Sequence, residues 1–332
     1  MALFLMMMGV KRILLCGWLL GILCGAETLP DDKRIAENAA AKAGVGEENQ
    51  RNYVRVEEGK DAIFLQTSVV KMEKDGVILD LLGAIHIADA AYYKELNERF
   101  TKYDRLLFEM VGGEELAKIN DGGAHAVEDK GGRIEKEKKE KAELAGLRNL
   151  YVKAAKVLDL QLQNEGIDYL AKNFVHADLT LKEFEKKQEE RKESLIGFAL
   201  KSSFASMFKP RANEPNSLVL MMAMLRGDAA AMKREMIHTL GEADDQIEGL
   251  SGKSVIVDDR NEKCLQVLEK ELAAGHKKIG IFYGSAHFPS MEVELENKGW
   301  RRTGEEWLSA WSVPKLKKAA TPKELKPKQE PK

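Results

Sequence analysis

Apolar and polar positions divide the chain into three stretches with different rhythms. From Tyr53-Val54-Arg55-Val56 onward, two strand-like runs at 62–70 and 77–82 are separated by Lys74-Asp75-Gly76, which predicts a hairpin. Residues 88–100 change to helical spacing, with Ala91, Leu96 and Phe100 apolar and Lys94, Glu95 and Glu98 polar. Residues 105–110 are again a short apolar strand, so this first stretch reads as a βαβ-like unit.

The middle stretch, 112–251, has no β pattern and is mostly helical by composition. Lys and Glu alternate densely over 128–143, the mark of a solvated helix or surface segment. Apolar residues recur at helical intervals over 147–162 and 179–200, and Thr180 with Glu183 three positions on forms a capping-box signature. Residues 217–240 carry Met221, Met222, Met224, Leu225, Met232 and Met236, a stripe suited to a core or a groove lining. The stretch reads as a helical insertion in an α/β domain. Strand and helix then alternate again: an extended segment at 254–258, a helix at 260–274, a strand at 278–283, a helix at 291–298, and 300–312 closing the sheet.

The ends follow other rules. Lys11-Arg12, the apolar run from Ile13 to Leu23 and the small residues Cys24-Gly25-Ala26 read as a secretory signal cut after Ala26, so that the protein is exported, periplasmic or secreted. The alternative is an uncleaved N-terminal segment that associates with a membrane. Leu23, bulky where a lipoprotein signal takes a small residue, argues against lipidation at Cys24. Residues 27–50 read as a linker, 51–312 as the α/β domain with 112–251 inserted, and 313–332 as a disordered Lys/Pro-rich tail.

A formal net charge of −2 gives no sign of a nucleic-acid footprint, which usually needs a basic domain or stripe, and no nucleic-acid partner is expected. Only Cys264 of the three cysteines lies beyond the predicted signal, so no disulfide framework is expected; Val267 and Leu268 share its face and make it a buried structural thiol.

Two segments share one design. Val77–His86 and Lys278–His287 are each an apolar strand, then Gly-x-x-His, then a helix, about 200 residues apart. Ligands of open α/β sheets bind at the carboxyl ends of strands. Glycine permits a tight departure there, and His86 and His287 each present an imidazole at the rim. Glu109 ends the apolar run Leu106-Leu107-Phe108, where a strand tip opens into a site. Two histidines and a glutamate form the ligand set of a catalytic divalent metal, with positions left for water or substrate. Asp258-Asp259-Arg260-Asn261 precedes a helix and suits capping, or orientation of a substrate and stabilisation of an oxyanion by Arg260 and Asn261. His125, His176, His238 and His276 have no repeat partner and read as structural or exposed.

Gly83-Ala84-Ile85-His86, Phe108-Glu109, Asp259-Arg260-Asn261 and Tyr283-Gly284-Ser285-Ala286-His287, in that order, resemble the TraB/GumN/Tiki superfamily over roughly residues 55–312. The resemblance implies an α/β core of two related halves, a helical insert, and a site where the two Gly-x-x-His loops converge. The Tiki members are described as metal-dependent proteases. The resemblance therefore implies a hydrolase of peptide or ester bonds with His86, Glu109 and His287 as ligands to manganese, cobalt, zinc or iron. Glu109 is then a ligand or the general base, and Arg260 and Asn261 match the family's polar pair. Phe288-Pro289-Ser290 departs from the Pro-Gly turn of many members. A non-enzymatic binder of haem or a peptide pheromone on the same fold is the alternative.

Overall fold

The computed structural model describes residues 51–114, 152–191, 215–241 and 257–316. The predicted signal, the 27–50 linker, the Lys/Glu run, His125, residues 254–256 and most of the Lys/Pro tail lie outside these described residues.

Among the described residues there are nine strands: β1 Val54–Glu58, β2 Ala62–Lys74, β3 Val77–Ala84, β4 Ile87–Ala88, β5 Arg105–Phe108, β6 Gln161–Leu162, β7 Phe174–His176, β8 Lys278–Gly284 and β9 Arg301–Pro314. The principal helices are α1 Ala90–Phe100, α2 Leu181–Arg191, α3 Ser217–Arg226, α4 Ala229–Gly241, α5 Asp258–Ala273 and α6 Phe288–Asn297. Seven strands form one sheet, and β4 pairs with β6 apart from it. β3, β8, β5 and β7 lie side by side and parallel. β2 is antiparallel to β3 and β1 and pairs along most of its length with β9, which closes the sheet as expected. The β2–β3 turn is the predicted hairpin, with Asp75 and Gly76 at φ 49° and 76°, the left-handed pair that a two-residue Asp-Gly loop requires.

Alternate residues of the parallel strands feed two cores, because side chains of a strand point to opposite faces. Leu79, Leu81, Ile279, Ile281 and Leu107 pack with Cys264, Leu265 and Leu268 of α5 and Met291 and Leu295 of α6. Leu82, Phe282, Leu106 and Phe108 pack on the other face with Tyr92, Tyr93, Leu96 and Phe100 of α1 and Ile237 of α4. Helices on both faces account for the continuous apolar runs of β3 and β8. Full burial of a side chain such as Leu82 or Phe282 contributes roughly 1.5–3 kcal/mol. The expected α/β sheet with flanking helices is therefore present.

Four details differ from the pattern reading. β6 and β7 fall inside the stretch expected to lack strands. β7 is a three-residue edge strand whose place rests on backbone pairing with β5, too short to carry an alternation. Asp258 belongs to α5, which starts two residues before the predicted helix; acidic residues in the first turn complement the helix dipole. Val257 takes the cap position with no side-chain cap bond, and Asp259 pairs with Lys187 and Arg191. The Met-rich stretch is two helices, broken at Gly227 in the left-handed region. In α3 only Ala223 is buried, whereas Leu218, Met224 and Leu225 are exposed; α4 buries Met232, Ile237 and Leu240. The capping box is present in both directions: Thr180 N–H donates to Glu183 Oε2 (2.8 Å), and Glu183 N–H to Thr180 Oγ1 (3.1 Å). No described helix is long and apolar enough to cross a membrane.

Candidate functional site

β3 and β8 are neighbours in register, Gly83 beside Tyr283 and Ala84 beside Gly284, so the two Gly-x-x-His loops leave the sheet together at its carboxyl end. A side chain at Gly83 would place its Cβ 2.7 Å from Ser285 Oγ, so glycine is what lets the loops approach. β5 flanks β8 on its other side, and Glu109 N–H donates to Phe282 O (3.1 Å), which fixes the glutamate at the strand tip. β7 comes next. Ala177 N–H donates to Phe108 O (3.2 Å) just past its end, and Asp178 follows, wholly buried. Four adjacent strand ends thus deliver His86, His287, Glu109 and Asp178, and α5 brings Arg260 and Asn261 to them.

Arg260 is the hub. Its Nε donates to Asp178 Oδ1 (2.9 Å) and its Nη2 to Asp178 Oδ2 (2.6 Å), the forked geometry in which guanidinium and carboxylate bind most strongly. Nη2 also donates to Glu109 Oε1 (2.5 Å), and Nη1 lies 3.4 Å from His287 Nε2. The other oxygen of Glu109 accepts from Gly284 N–H (2.6 Å). Burial pushes the Glu109 carboxyl upward, but Arg260, then His287 and His86, outweigh it and hold the group well below the ordinary carboxylate range. Burial lowers the Arg260 guanidinium, yet Glu109 and Asp178 leave it raised, so it stays charged.

His287 sits in a single 3-10 turn, Ser285–His287, that leads into α6. Its Nδ1 is 2.7 Å from Asn261 Oδ1, an acceptor only, so Nδ1 carries the proton and Nε2 is the basic nitrogen. Asn261 Nδ2 donates to His287 O and to Ser290 Oγ, both at 2.9 Å. The amide expected to contact substrate is thus committed to holding His287. Tyr283 packs edge-on to the imidazole at 5.1 Å and donates its hydroxyl to Ala177 O (2.6 Å). Nε2 faces Glu109 Oε1 at 3.6 Å. His86 is exposed, and its Nδ1 is 3.0 Å from Gln163 Oε1; Gln163 in turn donates to Tyr169 Oη (2.8 Å).

The sequence-predicted residues His287, Glu109, Arg260 and Asn261 share one network, and His86 stands in the adjoining loop. Asp178 and Gln163 were not singled out from the sequence. Asp178 follows the short strand that left no alternation, and Gln163 opens a four-residue helix, Gln163–Gly166, with no motif around it. His176 bonds Met110 O (2.7 Å), and His238 and His276 lie beside Glu58 and Glu271, away from the hub. Cys264 is fully buried and its thiol is pushed up by that burial, which suits the structural reading.

As arranged, His86, Glu109 and His287 do not fit a metal ion. Both oxygens of Glu109 are engaged, by Arg260 and by the Gly284 backbone, and a guanidinium stands beside His287 Nε2. Among the described residues no group of three or more His, Cys, Asp or Glu side chains is arranged to hold one. What the arrangement can supply is a basic imidazole nitrogen, an ionised carboxylate beside it and a fixed cation within reach of both. No protein-family model, no curated protein and no solved structure matches the chain.

Proposed function

We propose that this site hydrolyses an acyl bond, ester or peptide, by acid–base catalysis centred on His287. The observation that carries the reading is the His287 imidazole held by Asn261 with Nε2 turned toward Glu109 and Arg260. A water at Nε2 gives up its proton as its oxygen attacks the carbonyl carbon. Glu109, ionised and 3.6 Å from Nε2, steadies the imidazolium charge that forms, while Asn261 takes the orienting place at Nδ1 that a triad gives to its carboxylate. Arg260 Nη1 is placed to meet the charge that develops on the carbonyl oxygen. The imidazolium then returns its proton to the leaving oxygen or nitrogen as the acyl bond breaks. His86, the exposed imidazole, is positioned to meet substrate at the rim.

Paired Gly-x-x-His loops on adjacent strands support membership of the TraB/GumN/Tiki type. Export, or membrane attachment through an uncleaved N-terminus, rests on residues 11–26 and belongs to the same proposal. Substrates are then peptides or small acyl esters met outside the cytoplasm. A second reading, binding of haem or an apolar peptide without chemistry, is favoured by one observation: α3 exposes Leu218, Met224 and Leu225 along one helix.

The experiment is a panel of chromogenic acyl esters and quenched-fluorescent peptides, with wild type beside His287→Ala. Turnover lowered about 100-fold or more in the variant is the expected result. Equal turnover in both proteins, or none by wild type on any substrate together with a Soret shift on adding haem, rejects the hydrolytic reading.

A further inference from the structure

We propose that Arg260 takes the place a divalent ion would occupy between Glu109 and His287, that Asp178 locks it there, and that removing the arginine converts the centre into a metal site. The proposal goes beyond the hydrolytic reading, and its test reads metal occupancy, so the two fail separately.

The ligand atoms themselves carry the argument. A metal bound by Glu109 Oε1 and His287 Nε2 must lie about 2.0–2.2 Å from each. Those two atoms are 3.6 Å apart, a span that one ion could bridge. In this chain the same two atoms face neighbouring nitrogens of one guanidinium, Nη2 at 2.5 Å from the oxygen and Nη1 at 3.4 Å from the imidazole nitrogen. Ion and guanidinium would therefore compete for the same lone pairs, and a metal beside a retained Arg260 would set like charges against each other.

Arg260 is not placed to yield. Asp178 is wholly buried, and both its oxygens bond the guanidinium, so withdrawal of Arg260 would leave that carboxylate buried without a counter-charge. Oδ1 also accepts from Leu179 N–H (2.7 Å), which fixes the carboxylate from behind. The lock therefore comes from a residue outside the expected ligand set.

The remainder of the centre is built as a metal would require. Each imidazole has its Nδ1 against a side-chain amide oxygen, Asn261 for His287 and Gln163 for His86. That arrangement fixes the tautomer in which Nε2 is the donor atom, as ligating histidines need. Without the guanidinium, the Glu109 and Asp178 side chains would face the centre with no positive partner from α5, and a divalent cation would supply that charge.

The test uses cobalt(II) as the probe, on the purified full chain, with visible absorption to report coordination and elemental analysis after dialysis to report occupancy. Wild type is expected to retain little cobalt. Arg260→Met is expected to bind about one ion per chain, at least about tenfold more tightly than wild type, with loss of binding in Arg260→Met/His287→Ala. If Arg260→Met fails to fold, Arg260→Met/Asp178→Asn removes the opposed charges together and is expected to bind cobalt more tightly than wild type. Wild type binding one cobalt per chain as tightly as the arginine variant, or a folded arginine variant that takes up none, would overturn the proposal.

Discussion

The two Gly-x-x-His loops are near copies in sequence and differ in what surrounds them. The β8 loop lies between β3 and β5, and its His287 is buried, braced by Asn261 and Tyr283 and set against Glu109 and Arg260. The β3 loop has antiparallel β2 on its other side, and its His86 is exposed, with Gln163 holding Nδ1. One motif thus produces a buried acid–base group in one copy and a rim group in the other. The neighbours decide which: a central parallel strand receives strand tips on both flanks, whereas β3 receives one.

The sharpest way to break the contrast is to remove each imidazole in turn. On the proposed mechanism His287→Ala lowers kcat/KM by about 10²–10⁴-fold, and His86→Ala by less than about 100-fold, both measured on the same ester. Equal losses would make the two loops functionally alike. Asp178→Ala comes next: removing the forked partner of the largely buried Arg260, which then keeps its bond to Glu109, is expected to cost about 3–5 kcal/mol, read from the urea midpoint.

Smaller changes sharpen the same contrast. Asn261→Ala lets the His287 ring turn and is expected to lower kcat about 10- to 100-fold with little change in KM. Gly83→Ala forces the two loops apart at Ser285 Oγ and is expected to cost about 1–3 kcal/mol in a thermal melt. The pH dependence is the mildest probe. Glu109 is held below its ordinary value, so its contribution to stability is full above about pH 4.3 and is lost as pH falls through the lower folded value. Glu109→Gln removes that part of the acid limb. Acid-unfolding curves of wild type and variant that stay parallel below that pH would contradict it.

Much of the α/β frame was legible because burial on both faces writes itself as apolar runs, in β3 and β8, and because Asp75-Gly76 has few uses besides a tight turn. His86, His287 and Glu109 were legible as polar residues ending such runs. Asp178 was not, because β7 is recruited by backbone pairing and leaves no side-chain rhythm. Arg260 and Asn261 were visible as polar residues near a helix start, but their tasks were not. Whether such a side chain reaches a substrate or a neighbouring histidine depends on contacts between segments far apart in the chain. The Met-rich stretch misled for a related reason: composition suggested one stripe, whereas Gly227 divides it into an exposed helix and a buried one.

The order of strands also bears on how the chain matures during synthesis. β8 separates β3 from β5, and β9 pairs with β2 from Ala62 to Glu73. When the ribosome has delivered the first 114 residues, β3 and β5 have no strand between them, and the long edge of β2 is bare. Closure waits for residues 278–314, so folding depends on contacts of large sequence separation, a topology associated with slow folding. Until then Glu109 lacks both Arg260 and His287. Truncation before β8 should therefore leave an incompletely paired sheet prone to aggregation, even with the first Gly-x-x-His loop intact.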